Sequence, residues 1–241
     1  MAGADVTLET TDGPMRAYVA RPAEPRAAVI VVQEAFGVNG HIEDVTRRLA
    51  DAGYYAIAPD LFHRSGTGCV VEYGDFTKVM ELFKDVSGDE SILTDIEGAL
   101  GHLHDAGFSD RSIGIVGFCF GGRVSFLVAL RYALGAAVGF YGGGIVTGRF
   151  AQFPPLAADA AGLETPWLGL FGDQDASIPV DDVEQLRTAL EAAAVETDVV
   201  RYADAGHGFH CDQRSEYRPD DAGDAWARTL SWFDTHLRPP S

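Results

Sequence analysis

Gly117-Phe118-Cys119-Phe120-Gly121-Gly122 decides how this chain is read. The apolar run Ser112–Val116 stands before it, and a helical pattern with Val124, Leu127 and Val128 on one face follows it. Strand, sharp turn and helix in that order are the setting of a nucleophile elbow. The turn holds its central residue in a strained conformation, and its flanking positions are glycine because a Cβ would clash there. Cys119 then projects above the sheet, while the Phe120 amide lies at a helix N-terminus, where it can stabilise an oxyanion. The same helix dipole makes a thiol more acidic. The competing reading is a small buried cysteine in a glycine-rich turn, a common packing element. The strand before and the helix after favour the functional reading.

Working outward, strand-like runs recur at Val6–Thr10, Met15–Ala20, Ala28–Gln33, Tyr54–Ala58, Ser112–Val116, Ala136–Phe140, Trp167–Phe171 and Asp198–Tyr202. Asp12-Gly13 between the first two predicts an antiparallel hairpin. The later runs are apolar without alternation, as strands covered on both faces are. Helical patterns separate them at His41–Ala52, Phe76–Val86, Glu90–Ala106, Arg123–Ala133, Val183–Ala193 and Asp221–His236. The alternation predicts an α/β fold, a doubly wound, mostly parallel sheet of about eight strands, in one domain spanning residues 1–241. The Gly-, Pro- and Ala-rich stretch Gly142–Thr165 reads as a long loop or cap.

Composition bounds the function. The 241 residues are enough to bury a large core, and 46% hydrophobic with 22% charged residues is an ordinary globular mixture. The formal net charge of −18 repels phosphate backbones and anionic bilayers, so neither nucleic acid nor membrane is an expected partner. Three cysteines, Cys69, Cys119 and Cys211, are too few and too odd in number for a disulfide scaffold, and free thiols suit a reducing cytosol. The opening MAGADVTLET has no basic, apolar signal-peptide pattern, and no run is long and apolar enough to span a bilayer. A cytoplasmic protein, monomeric or a small homo-oligomer, is the expectation.

Two further motifs follow strands. Gly172-Asp173-Gln174-Asp175 comes after Trp167–Phe171, at the carboxyl edge where such sheets place ligand and catalytic groups. Asp175 is the preferred carboxylate because it lies deeper in the loop. Asp173 stays open on spacing alone, and either aspartate could instead cap the next helix. Ala205-Gly206-His207-Gly208-Phe209-His210 comes after Asp198–Tyr202. A histidine between two glycines contributes little to a core, so His207 is placed for proton transfer. A metal site from His207, His210, Cys211 and Asp212 is the rival, but no second ligand cluster at recognisable spacing accompanies it. No metal and no cofactor is expected. Nucleophile, acid and histidine occur in the order Cys119, Asp175, His207, which is that of α/β-hydrolases.

The chain resembles the dienelactone hydrolase family (carboxymethylenebutenolidases) through Val32-Gln33-Glu34-Ala35-Phe36-Gly37, Tyr55-Ala56-Ile57-Ala58-Pro59-Asp60-Leu61, the Gly117–Gly122 elbow, Gly172–Asp175 and Ala205–Phe209. The resemblance implies a small ester or lactone as substrate and places the family's cysteine, aspartate and histidine on Cys119, Asp175 and His207. It implies an oxyanion hole from the Ala35 and Phe120 amides, and a carboxylate, Glu34, that accepts the thiol proton. Independently, a carboxylate ending the buried run Val29–Gln33 would be desolvated and so basic; a helix cap or a surface ion pair is the alternative. The arginines that hold a substrate carboxylate in dienelactone hydrolase are replaced here by Cys211 and by the stretch Tyr73–Phe76. The expectation is therefore a pocket lined by Phe36, Phe62 and Phe209 without a cation at the family's positions, with neutral esters preferred; Arg214 or Arg123 swinging in, or Lys78 reaching from its helix, is what would restore anion binding. A thioesterase or peptidase on the same scaffold, and a non-catalytic small-molecule binding protein, are the other readings.

Overall fold

A computed structural model describes residues 1–239. The apolar runs become β1 (Ala4–Thr10), β2 (Gly13–Ala20), β3 (Ala27–Val32), β4 (Tyr54–Pro59), β5 (Ile113–Phe118), β6 (Ala136–Phe140), β7 (Trp167–Gly172) and β8 (Thr197–Tyr202). They form one sheet in the order β1-β2-β4-β3-β5-β6-β7-β8. β1 and β2 make the hairpin, β2 runs antiparallel to β4, and every other pairing is parallel. Every residue of β3, β4, β5, β6 and β7 is buried, which is why those runs show no alternation. The edge strands β1 and β8 mix exposed and buried positions.

Among the described residues the helices between strands are α1 (Gly40–Asp51), α2 (Phe76–Leu82), α3 (Asp89–Asp105), α4 (Phe120–Ala129) and α5 (Val180–Leu190), and α6 (Pro219–His236) follows β8. The connection through α1 leads from β3 outward to β4, whereas α4 leads from β5 outward to β6 on the other side. Right-handed crossovers in opposite directions put these helices on opposite faces. α1 meets α6, with Arg48 stacked 4.2 Å from the Trp226 ring, and α3 meets α4. The strand order reverses between β3 and β5, and a crevice at such a switch point is where open α/β sheets bind ligands. Among the described residues no helix is long and apolar enough to cross a membrane.

Several boundaries differ from the sequence reading; α4 ends at Ala129 instead of Ala133, and α5 runs from Val180 to Leu190 instead of Val183 to Ala193. α2 stops at Leu82 instead of Val86, because the Lys84 and Asp85 amides bond three residues back in a tight turn toward Gly88, at φ 140°. α4 starts at Phe120, three residues early, because the helix begins directly at the elbow. The loop Gly142–Thr165 holds one short 3-10 turn, Ala157–Gly162.

Candidate active site

The elbow sets the geometry. Cys119 has φ 55° and ψ −112°, a conformation that non-glycine residues rarely adopt. A Cβ on Gly117 would run into the backbone of Gly121, and one on Gly121 into the carbonyls of Val32 and Gln33. The Gly121 amide donates to the Gln33 carbonyl at 3.1 Å, so the start of α4 is clamped against the end of β3. Gln33 also accepts the Leu61 amide on its side chain at 3.1 Å. The Gln-Glu dipeptide is thus half scaffold: Gln33 ties three segments together and presents Glu34 and Ala35 beside Cys119.

β7 and β8 deliver the other two groups. His207 Nε2 lies 3.1 Å from Cys119 Sγ, and His207 Nδ1 lies 2.6 Å from Asp175 Oδ2. The second oxygen of Asp175 accepts the Ser177 amide at 2.8 Å and its hydroxyl at 2.7 Å. Burial works against an imidazolium, but the negative charges of Cys119 and Asp175 outweigh it and push the His207 pKa up to about 10. Burial would raise Asp175, yet its bonds to His207 and Ser177 hold it below the usual carboxylate range. Asp173, which spacing alone left open, turns away and forms a two-pronged pair with Arg201 at 2.7 and 2.8 Å.

Glu34 is fully buried. Tyr73 donates to its Oε2 at 3.2 Å, and Arg214 Nη1 stands 3.7 Å from Oε1, which makes no hydrogen bond. Burial raises its pKa, with Arg214, His207 and Tyr73 opposing. Asn39 donates to the Tyr73 hydroxyl at 3.0 Å, and Cys211 Sγ lies 3.3 Å from it. Cys211 therefore stands behind Tyr73, not in the cavity wall, and burial pushes its thiol up to about 11. Sequence reasoning missed Tyr73 as the partner of Glu34, for the two are far apart in the chain and Tyr73 sits in no motif. It also missed Tyr141, buried at φ 37°, which packs against the His207 ring at 5.2 Å.

A cavity of about 460 Å³ opens onto Cys119 and His207, and Ala35, Phe36 and Phe120 line it. Phe62 and Phe209 do not, contrary to the sequence expectation. Phe62 packs edge-on against Phe83 behind the wall, and Phe209 lies in the core against Phe140, Tyr141 and Tyr202. The cavity also carries cations, but not at Cys211 or Tyr73–Phe76: Arg149 and Arg214 both line it. Successive turns at Gly208–Cys211 and Cys211–Arg214 bring Arg214 back over the site, where Glu34 and Glu216 share its charge. Arg123 touches the cavity but is held by Asp89 and the Pro154 carbonyl. Lys78 pairs with Glu81 at the surface. His210 faces the opposite way, stacked 5.3 Å from Phe118, so it does not join His207 around a metal. Among the described residues no three His, Cys, Asp or Glu side chains gather as metal ligands.

An eight-stranded sheet reversing at β3 and β5, with a strained thiol on the elbow and an imidazole–carboxylate pair beside it, defines an α/β-hydrolase. The family model for the dienelactone hydrolase family matches residues 15–237, and the chain belongs to that family. It is 39% identical over 237 residues to a "Putative carboxymethylenebutenolidase" of Methylorubrum extorquens, covering 95% of this chain and 79% of that one. It is 31% identical over 232 residues to a carboxymethylenebutenolidase of Pseudomonas putida, covering 95% and 94%. A Klebsiella pneumoniae crystal structure described as "Putative Dienelactone Hydrolase" superposes with a TM-score of 0.89 at 38% identity, over 98% of this chain and 99% of the other. The protein is thus a member of a family of carboxylic ester hydrolases.

Proposed function

We propose that this protein hydrolyses a small ester or lactone through a thioester on Cys119. The observation that carries the reading is the unbroken line Cys119 Sγ, His207, Asp175, with spacings of 3.1 and 2.6 Å, at the mouth of the cavity. His207, with its pKa raised to about 10, holds the proton given up by the thiol, and the Cys119 sulfur adds to the carbonyl carbon as a thiolate. The Ala35 and Phe120 amides hold the resulting oxyanion; the Phe120 amide, at the start of α4, has no intrahelical carbonyl to bond. Collapse breaks the carbon–oxygen bond, and His207 gives its proton to the leaving alcohol. Water, deprotonated by His207, then cleaves the thioester, and Asp175 keeps the imidazole oriented throughout. Glu34 is a second acceptor for the thiol proton, since burial raises its basicity. No step calls for a metal or a cofactor.

Cys119→Ala is expected to keep the native circular dichroism spectrum and to lose about 10⁴-fold or more in kcat. Intact-mass spectrometry during turnover of a slow ester is expected to show the acyl adduct on the wild type alone. Near-native turnover by the variant would refute the mechanism.

A further inference from the structure

The cavity is larger than a small lactone requires: about 460 Å³ lies in the range of sites that enclose ligands of drug size. Its shape is set by rings. Phe120 directly follows the nucleophile and meets Phe83 edge-on at 4.8 Å and Phe153 at 5.5 Å. Phe83 in turn meets Phe153 at 5.9 Å and Phe150 at 5.9 Å. With Val79 and Met80 from α2 these rings line the cavity as one contiguous apolar wall. Rings set at steep angles present both edges and faces, the surfaces against which another aromatic group packs favourably. Some of the rim stays in water: Phe150 is 37% and Met80 44% exposed. Covering such apolar surface with an occupant is favourable.

The direction of the substrate follows from the proton path. The leaving oxygen must lie near His207 Nε2 to be protonated, and the cavity wall around His207 is polar, with Gln174 and Ser177. The acyl group, bonded to Cys119 Sγ, must then extend the other way, past Phe120. Resting on the ester-hydrolase reading, we infer that the Phe83–Phe120–Phe150–Phe153 box is an acyl pocket that takes an aryl or similarly bulky apolar acyl arm. The covalent chemistry is unchanged. Sulfur bonds to the acyl carbon, the carbon–oxygen bond breaks with its electron pair on the alkoxide, and the His207 proton neutralises it.

The test compares kcat/KM for methyl propanoate, methyl 3-phenylpropanoate and 2-phenylethyl acetate. The last two are isomers that place the same ring on the acyl and on the alcohol side. Methyl 3-phenylpropanoate is expected to exceed both others by about tenfold or more, since apolar groups filling such a pocket discriminate by that much per methylene or two. Phe150 and Met80 are half exposed, so their variants fold. Phe150→Ala is expected to lower the ratio between the isomers, and Met80→Trp, which fills the box, to abolish or reverse it. Equal rates for the isomers, or preference for 2-phenylethyl acetate, would overturn the acyl pocket while leaving the hydrolase standing. Failure of the wild type to hydrolyse any of the three beyond Cys119→Ala would remove the ester-hydrolase reading and the inference together.

Discussion

Replacing Arg214 by methionine removes the cation that stands within salt-bridge distance of the fully buried Glu34 carboxylate. Arg214 Nη1 is 3.7 Å from Glu34 Oε1, and that oxygen makes no hydrogen bond. At an effective dielectric constant of about 20, unit charges at that distance attract by roughly 4 kcal/mol. The Arg214 side chain is only 15% exposed, so water screens little of this. Glu34 answers the loss by taking up a proton, and because its pKa already lies above the ordinary 4.5, this holds the cost below about 5 kcal/mol near pH 8. The sign is fixed by direction. Burial already raises the Glu34 pKa, so its contribution to stability falls as pH rises. The variant raises that pKa further, so the deficit is largest near pH 8 and nearly gone by about pH 4, where the carboxyl is protonated folded and unfolded. Methionine retains an apolar stem against the Phe36 and Tyr73 rings, which lie 6.0 and 5.5 Å from the guanidinium. Thermal melts of both proteins at the two pH values measure the effect, and the acidic limb of kcat/KM moves to higher pH if Glu34 is a base. A deficit independent of pH, or none, would refute the pairing.

Asp175→Asn is expected to cut kcat by about 10³-fold or more by leaving His207 without its acceptor. Asp173→Asn, which loosens only the Arg201 pair, leaves kcat within severalfold; a larger loss at Asp173 would reassign the acid. Gly121→Ala places a methyl on the Val32 and Gln33 carbonyls and is expected to lower soluble yield and activity together. Gly223→Ala, in α6 with open space around it, is expected to stabilise by about 0.5–1 kcal/mol in urea titrations. His41 is buried beside His210 and its pKa is pushed down to about 4, burial being the main cause. Folding is therefore stabilised above the unfolded value of 6.5 and loses about 3 kcal/mol as pH falls through that interval. His41→Leu is expected to flatten this acid limb, and an unchanged pH dependence of stability would count against it.

Much of the fold was legible in the sequence because its signals are local. Unalternating runs such as Ala28–Gln33 and Ala136–Phe140 become strands buried on both faces, and Asp12-Gly13 turns the β1–β2 hairpin. The elbow was legible for the same reason: Gly117 and Gly121 flank Cys119 within one turn, and their lack of side chains has a steric cause that reads from spacing. What lay beyond local reading depended on groups that meet only when the sheet closes. Asp173 and Asp175 stand two residues apart on one loop, and only the path from β7 to β8 turns one to His207 and the other to Arg201. Aligned position placed Cys211 where a substrate-binding arginine was expected, yet two further turns bring Arg214 to Glu34. Phe62 follows one motif and Phe209 ends another, yet both point into the core, while Phe83, Phe150 and Phe153 come from outside every motif and build the wall. Periodicity reports which face a residue takes within its own element; which distant element it then meets is set by long-range packing, and that the tertiary structure alone decided.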